Sequence, residues 1–183
     1  VRSTLTDVGL DETALDNTPD WPYHPESAEA QIAAVHQAEA LAEDRRQAFR
    51  PIVTVSGEVL HNERYGNTLA DGDLLLVDSG SESKRFYASD ITRTIPVSGR
   101  FTGQQREIYE VVLDAQLQAI AAASPEKTNK ELHLIASRAI ASGLKNVGLM
   151  KGDVDEAVEA GAHALFFPHG IGHMLGLDVH DME

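Results

Sequence analysis

The sequence contains no cysteine among its 183 residues. This absence excludes disulfide bonds, thiolate metal ligands and cysteine nucleophiles, and it suits a reducing compartment such as the cytoplasm. Basic residues are also few, with 15 Lys and Arg against 29 Asp and Glu and a formal net charge of -14. Nucleic acids and anionic membrane surfaces are therefore not expected as partners.

Long apolar runs are also absent. No stretch approaches the roughly 20 apolar residues that a membrane-spanning helix needs, and the N-terminus has no apolar signal core. The sequence shows no phosphate-binding glycine loop, no regular alternation of strands and helices, and no internal repeat. With 42% hydrophobic residues the chain can still form a substantial core. These features favour an α+β fold of antiparallel strands and helices.

The order of apolar and turn residues predicts one helix, a group of strands and three further helices. Residues 1–25 show no sustained period and are interpreted as an irregular arm. A helix is predicted from Glu26 to about Phe49, ended by Pro51. Strands are predicted at residues 51–55, 59–62, 74–78 and 90–97, and capped helices at residues 102–123, 128–142 and 153–161.

Three of the eight histidines, His169, His173 and His180, lie within residues 166–181. A helical zinc motif does not fit His169 and His173. The residues between them include two glycines and lack the glutamate of that motif, and each glycine costs a helix interior about 1 kcal/mol. We predict instead a strand, a bend near Gly176 and a second strand, which together bring the histidines into one cleft. The alternative is a glycine-rich loop with ordinary polar side chains.

Two aspartates flank the second predicted hairpin. Asp78 ends an apolar run and Asp90 begins the next strand. If these strands pair around a turn centred near Lys84, the two aspartates lie opposite each other with Cβ atoms about 4.5–5.5 Å apart. Such carboxylates repel each other unless a metal lies between them or one is protonated. A pair that is solvated, or salt-bridged to Arg93, is an equal alternative.

Four motifs stand out along residues 51–183: Leu60-His61, Val77-Asp78-Ser79-Gly80, Ser89-Asp90-Ile91-Thr92-Arg93-Thr94, and His169-Gly170-Ile171-Gly172-His173 followed by Leu177-Asp178-Val179-His180-Asp181. Taken together they resemble the metallopeptidases of the pita-bread fold, and among these the Xaa-Pro aminopeptidases (aminopeptidase P) and prolidases. The resemblance implies a catalytic domain over residues 26–183 with antiparallel strands and flanking helices. It also implies that the C-terminal part of this domain is missing from these residues.

The resemblance implies a centre of two divalent metal ions, with manganese foremost and cobalt or zinc as alternatives. Asp78 and His173 match metal ligands, and Asp90 matches a ligand that bridges both ions. An oxygen-rich ligand set with one imidazole also suits Mn²⁺ or Co²⁺ better than a thiolate-type zinc site. The family has two further ligands, both glutamates that follow the His180 motif, and no residue up to Glu183 matches them.

The resemblance also assigns the substrate side of the site. His61 and His180 match catalytic histidines that contact the scissile peptide, and His169 matches a neighbouring histidine on the substrate side. Asn62 and Arg93 match supporting residues. The implied reaction is hydrolysis of an Xaa-Pro peptide bond by a hydroxide shared between two metal ions. The expected partner is a peptide with proline in the second position, and a homodimer is left open. The alternative is a catalytically silent fragment, or a metal-free binding module, that keeps the scaffold.

Overall fold

The structure is a computed structural model that describes residues 28–182. Its elements are α1 (Glu29–Ala42), β1 (Ile52–Thr54), β2 (Leu74–Ser79), β3 (Ile91–Pro96), α2 (Gly103–Ala122), α3 (Asn129–Asn146), α4 (Val154–Glu159) and a 3₁₀ helix (Ala162–Leu165). The chain divides into two compact units, the first of Val1–Phe101 with Met174–Glu183 and the second of Thr102–His173. The arm predicted at residues 1–25 lies outside the described residues. No helix in the described part is long and apolar enough to cross a membrane.

The first unit is built on a three-stranded antiparallel sheet in the order β1-β2-β3. One face of the sheet is apolar, because the buried residues Val53, Leu75 and Val77 occupy alternate positions along their strands. Helix α1 contributes Ile32 and Ala33 to the same core. The strands predicted at residues 51–55, 74–78 and 90–97 are confirmed to within two residues at each end.

The register between β2 and β3 differs from the prediction. Asp78 pairs with Thr92 rather than with Asp90. The cause is the irregular connection between the strands, in which the Ser89 N–H donates to the Ser81 carbonyl at 3.1 Å and so extends the same register. A shift of two residues in register leaves each side chain on the same face of the sheet. Asp90 is therefore a diagonal neighbour of Asp78 and not its direct partner.

Helix α1 ends at Ala42, well before the predicted end near Phe49. The end is formed by Asp44, which has a left-handed backbone with φ of 54°. The Asp44 N–H donates to the Leu41 carbonyl and the Arg45 N–H to the Ala40 carbonyl, both at 3.0 Å. This is the Schellman pattern of a helix C-terminus. Aspartate is one of the few residues other than glycine that adopt this conformation readily, so Pro51 does not end the helix.

The second unit consists of helices whose N-termini agree with the sequence. The hydroxyls of Thr102 and Thr128 each accept a backbone N–H three residues on at 3.2 Å, and both predicted capping boxes are confirmed. Asp153 caps α4 in the same way through its carboxylate. The core between α2 and α3 consists of small and aliphatic residues: Ala115, Ala119, Ala136, Ala139, Ile140 and Leu144.

Helix α3 continues past Gly143, where the sequence predicted its end. A Cβ atom at Gly143 would lie 2.5 Å from a γ carbon of Val111 on α2. This glycine therefore serves the close approach of the two helices. The helix is closed by Gly148, with φ of 81°, and by a hydrogen bond of 2.8 Å from the Leu149 N–H to the Leu144 carbonyl.

The strands predicted within residues 166–181 are not formed in the described structure. After the 3₁₀ helix the chain has no regular secondary structure as far as Met182. A strand requires a neighbouring strand to satisfy its backbone groups, and no such partner strand pairs with these residues in the described structure. The Gly176 N–H donates to the Asp178 carbonyl at 3.1 Å, and the Asp181 N–H donates to the Met174 carbonyl at 3.2 Å. The predicted bend near Gly176 is thus part of a compact loop.

Candidate metal and substrate site

Asp78 is the central polar residue on the face of the sheet that points away from α1. It lies on β2 between Ile52 of β1 and Thr92 of β3. Its carboxylate oxygen Oδ1 is buried and has no hydrogen-bond partner within the described residues. A buried acceptor of this kind is costly unless a donor or a cation satisfies it. The position therefore favours binding of a positively charged group.

The neighbours of Asp78 alter its ionisation. Burial raises the pKa of Asp78 above its usual value near 3.8, and the hydrogen-bond contact and negative charge of Asp90 raise it further. A hydrogen bond with Thr92 and the charge of His61 lower the pKa without cancelling the rise. Asp78, Asp90 and His61 thus lie near one another on the first unit. Two adjacent carboxylates favour a shared proton or a bound cation.

Arg93 does not neutralise this pair. It pairs with Val77 across the strands, and neighbouring residues of a strand face opposite sides of the sheet. Its guanidinium donates to the Thr92 carbonyl at 2.8 Å. It also lines a cavity of about 610 Å³ on the core-facing side of the sheet, together with Val77 and His36. A salt bridge between Arg93 and the aspartate pair has no support in the structure, and this cavity is separate from the aspartates.

His61 lies in a turn, and the extended segment predicted at residues 59–62 is wrong. The backbone of His61 is left-handed, with φ of 51°, which is uncommon for a residue other than glycine and indicates that its surroundings hold it there. The Asn62 amide donates to the Thr54 hydroxyl at 3.2 Å and accepts the Arg64 N–H at 3.1 Å. Asn62 therefore supports the turn that brings His61 near Asp78.

Gly80 allows the connection after β2 to fold back. A Cβ atom at this position would lie 1.7 Å from the Ser89 carbonyl oxygen. The Ser89 hydroxyl donates to the Ser81 carbonyl at 2.8 Å and accepts the Ser81 N–H at 3.0 Å. These contacts return the chain so that Asp90 lies beside Asp78. The sequence motif contains Gly80, but its steric role was not predicted.

His180 lies in the loop of residues 174–181, which belongs to the first unit. The Gly176 carbonyl in this loop accepts the Ala88 N–H at 2.8 Å. Ala88 is two residues before Asp90. The loop that carries His180 is therefore hydrogen-bonded to the connection that carries Asp90. The His180 side chain is exposed.

His169 and His173 belong to the second unit, in the segment after the 3₁₀ helix. Phe167 and Ile171 alternate with them and pack against the core of α2 and α3. The roles of His169 in substrate binding and of His173 in metal binding stay predictions. Within residues 28–182, no group of three or more histidine, aspartate or glutamate side chains is close enough together to hold a metal ion.

Two other histidines of the second unit pack together. The ring centroids of His133 and His163 are 6.1 Å apart, and the His133 ring stacks on Phe167 at 5.2 Å. Burial lowers the pKa of His163, and the charge of His133 lowers it further. The stack connects α3 to the start of the histidine-rich segment. The sequence indicates no partner for either ring, because the contact joins residues far apart in the chain.

A buried carboxylate at the start of α1 was missed by the sequence reasoning. Glu29 is fully buried, and it accepts hydrogen bonds from the Val55 N–H at 2.9 Å and from the Asn67 backbone and side chain at 3.0 and 2.9 Å. Burial opposes its ionisation, but these hydrogen bonds outweigh burial and lower the pKa of Glu29. Its only sequence signal is an acidic residue in the first turn of a helix, which is common.

Comparison with known proteins decides the family. The sequence profile of metallopeptidase family M24 matches residues 8–183. This chain belongs to metallopeptidase family M24. Among curated relatives of the M24 chain, the Xaa-Pro aminopeptidase of Haemophilus influenzae is 48% identical over 124 residues, which cover 68% of this chain and 29% of that protein.

Solved structures agree with this assignment. A variant of Escherichia coli aminopeptidase P in complex with substrate matches the M24 chain with a TM-score of 0.85 and 39% identity, over 88% of this chain and 37% of that one. Zinc-substituted E. coli aminopeptidase P in complex with product matches with a TM-score of 0.84 over the same shares and at the same identity. The fold is therefore that of aminopeptidase P, and the predicted fold class is confirmed. The chain spans about a third of the length of these relatives.

Proposed function

We propose that this M24 protein hydrolyses the peptide bond between an N-terminal residue and a proline, and that it uses two divalent metal ions, manganese foremost. The observation that carries the metal proposal is the buried Oδ1 of Asp78, which has no hydrogen-bond partner in the described structure and lies on a residue in contact with Asp90. The proline specificity rests on the relatives, of which the H. influenzae protein is named an Xaa-Pro aminopeptidase. The cytoplasm, inferred from the absence of cysteine, is part of the same proposal.

The residues present fit a divalent cation. Asp78 and Asp90 bring two carboxylates together, and Arg93 faces the other side of the sheet, so a cation would offset charge that Arg93 does not. We propose that these two aspartates and His173 hold the ions. Carboxylate ligands with one imidazole suit Mn²⁺ or Co²⁺. Zinc is an alternative metal, because a zinc-substituted form of the E. coli enzyme is known. When bound, such ions lower the pKa of a water molecule and offset the negative charge that develops on the substrate.

The chain's own side chains would orient the substrate and manage charge. His61 and His180 are proposed to donate hydrogen bonds to the substrate carbonyl oxygen as its negative charge develops, an interaction that acts on the transition state. His169 is proposed to bind the substrate beside them. The charge of His61 lowers the pKa of Asp78 and so acts in favour of the ionised Asp78 carboxylate. Residues 26–183 are proposed as the catalytic domain, preceded by an arm at residues 1–25.

The test uses an intact enzyme, meaning a polypeptide that contains these residues together with both glutamate ligands. Matched peptides Ala-Pro-Ala and Ala-Ala-Ala are incubated with it before and after a chelator. We expect release of the N-terminal residue from the proline peptide alone, abolished by the chelator and restored best by Mn²⁺. Unchanged cleavage after exhaustive chelation would exclude a metallopeptidase, and equal cleavage of the two peptides would exclude proline specificity.

A second candidate function is a catalytically silent scaffold. It is favoured by one observation: within residues 28–182, no three histidine, aspartate or glutamate side chains are grouped so that they could hold a metal ion. A metal count by mass spectrometry under native conditions separates the two functions. Stoichiometric Mn²⁺ in the intact enzyme supports the peptidase, whereas a folded protein that binds neither Mn²⁺ nor Zn²⁺ supports the scaffold.

A further inference from the structure

The loop of residues 174–181 has no regular secondary structure, so a few specific contacts determine its shape. Asp181 makes three hydrogen bonds that hold the loop together. Its N–H donates to the Met174 carbonyl at 3.2 Å, which closes the loop. Its carboxylate oxygen Oδ2 accepts the Leu177 N–H at 3.2 Å, and its Oδ1 accepts the Met182 N–H at 2.8 Å. Both carboxylate oxygens are thus used as acceptors of backbone N–H groups.

Gly176 completes this arrangement through the space that it leaves. A Cβ atom at Gly176 would lie 1.7 Å from Oδ2 of Asp181 and 2.8 Å from its Cγ. Gly176 is not among the glycines with positive φ. It is therefore required for the close approach of the carboxylate, and the backbone conformation alone would accept another residue.

The loop is also fixed to the site. The Gly176 carbonyl accepts the Ala88 N–H at 2.8 Å, and Ala88 precedes Asp90 by two residues. Gly176 therefore lies in the same loop as His180 and is hydrogen-bonded to the connection that carries Asp90. All of these residues belong to the first unit.

We propose that Asp181 is a positioning residue, whose carboxylate fills the space beside Gly176 and holds the loop in the shape that presents His180. The proposal rests on the function proposed above, because it gives His180 its role at the substrate. Asparagine cannot replace this aspartate, since its amide offers one acceptor oxygen and turns an NH₂ group toward the second backbone N–H. Alanine removes both acceptors.

The first test follows the loop without reference to activity. Amide hydrogen exchange at Leu177 and Met182 is measured in the 183-residue chain and in the variants Asp181→Asn, Asp181→Ala and Gly176→Ala. We expect each variant to exchange about tenfold faster at these amides. The matched control is Asp178→Asn, which makes the same charge change in the same loop at an exposed residue. Wild-type exchange in Asp181→Asn would overturn the proposal.

The double variant Gly176→Ala with Asp181→Ala tests whether the Asp181 carboxylate occupies the space that a methyl group at residue 176 would need. It also distinguishes this steric conflict from a general loss of folding in Gly176→Ala. Once the carboxylate is removed, a methyl group at residue 176 has room, so the double variant is expected to exchange at the rate of Asp181→Ala alone. Additive acceleration would show that Gly176 and Asp181 act independently and would overturn the steric pairing. Far-UV circular dichroism checks that the helices of each variant remain.

The second test reads the position of His180 by NMR. The His180 ring signal, assigned by its loss in His180→Gln, is expected to shift or broaden in Asp181→Asn and Gly176→Ala and to stay in place in Asp178→Asn. An unmoved signal in both variants would overturn the positioning role. In the intact enzyme, Asp181→Asn is expected to lower kcat by about 10- to 100-fold at unchanged metal content, because small misplacement of a contact group is costly.

These readouts separate the two proposals. In one outcome the variants exchange faster and shift the His180 signal, while the wild-type intact enzyme cleaves no Xaa-Pro peptide. This outcome would support the positioning of His180 and overturn the proposed function. Normal turnover in an Asp181→Asn enzyme whose loop exchanges faster would overturn the positioning role and leave the proposed function in place.

Discussion

At the scale of the single residue, Asp78 is a carboxylic acid whose ionisation is disfavoured by its surroundings in the metal-free protein. Its pKa is raised by burial and by Asp90, so the folded protein binds a proton at pH values where the unfolded chain has released it. The stability of the metal-free protein therefore falls as pH rises from about 3.8, the usual value, through the raised pKa, and the loss is complete above it.

The loss of stability on ionisation of Asp78 gives a prediction for the variant Asp78→Asn. Without metal at pH 7, the variant is expected to be more stable than wild type, because a neutral amide can donate to the Asp90 carboxylate where two charges repelled. Differential scanning calorimetry should show a higher Tm, with a rise of about 2–4 °C for each kcal/mol gained in the free energy of unfolding. The difference should shrink in acid, where Asp78 is protonated. Mn²⁺ affinity, measured by calorimetric titration, should fall in the same variant.

The control for this variant is Asp71→Asn, which removes one negative charge at an exposed turn. It should leave both Tm and Mn²⁺ affinity close to wild type. If Asp78→Asn were less stable than wild type without metal at pH 7, the raised pKa and the repulsion behind it would both be wrong.

Residue identity was easier to predict from the sequence than residue geometry. Asp78 and Asp90 were selected because carboxylates at strand ends require partners, and they do lie together. Their exact register was wrong, because the hydrogen bonds between Ser81 and Ser89 that set it belong to an irregular connection. Glu29 was missed because its three donors come from distant parts of the chain.

At the scale of the element, Glu29 joins α1 to the end of β1 and to the segment after His61. We predict that Glu29→Ala lowers the free energy of unfolding by about 2–4 kcal/mol, since it leaves the partly buried backbone N–H groups of Val55 and Asn67 without this acceptor. Urea denaturation at pH 7 measures this, with Glu39→Ala on the exposed side of α1 as the control.

The pH dependence of this effect has the opposite sign to that of Asp78. The pKa of Glu29 is lowered from about 4.5, so its contribution to stability is present above that value and is lost as pH falls through the lowered pKa. The gap between wild type and Glu29→Ala should therefore narrow in acid. A gap that is constant from neutral pH into strong acid would contradict the assigned cause.

The close contact between helices α2 and α3 at Gly143 gives a prediction that a double-mutant cycle can test. An alanine in place of a helical glycine usually stabilises by about 1 kcal/mol, but Gly143→Ala should destabilise because the new methyl group would meet Val111. In a Val111→Ala background the same change should destabilise less, because the γ carbons are gone and only the Cβ contact at 3.0 Å remains. Urea unfolding of the four proteins forms the cycle, and a stabilising Gly143→Ala in the wild-type background would refute the close contact.

Elements encoded by adjacent residues were predicted best. The capping boxes at Thr102 and Thr128 use residues three positions apart, and both helices begin there. A strand depends on a neighbour that local sequence does not reveal, so residues 166–181 were predicted as strands and form a loop. The end of α3 was wrong for a related reason, because the role of Gly143 depends on Val111 of another helix.

At the scale of the whole molecule, residues 1–183 match two aspartates and one histidine of the expected ligand set and neither glutamate. We therefore expect the 183-residue polypeptide on its own to bind at most one Mn²⁺ ion weakly and to cleave no Ala-Pro-Ala. The resemblance also gives one of the two glutamates the role of general base, and loss of a positioned general base alone typically costs about 10²–10⁴-fold in rate. Calorimetric titration with Mn²⁺, alongside a peptide assay, measures both quantities.

Asp90→Asn is the matched variant for this titration and should abolish the remaining Mn²⁺ binding. Two tightly bound ions per wild-type chain, with turnover, would contradict the prediction. That result would show that the missing ligands are supplied from elsewhere, such as from a partner chain.

The hydrogen bond between Ala88 and Gly176 joins residues 88 positions apart, and the entire second unit lies between them in the sequence. Helices α2 and α3, by contrast, are neighbours in the chain. Closure of a long loop costs more chain entropy than closure of a short one, and contacts between sequence neighbours form faster. The helical hairpin should thus form early on the folding pathway and the loop that carries His180 should dock late. His180 would thus reach its place beside the connection that carries Asp90 only in the last step of folding.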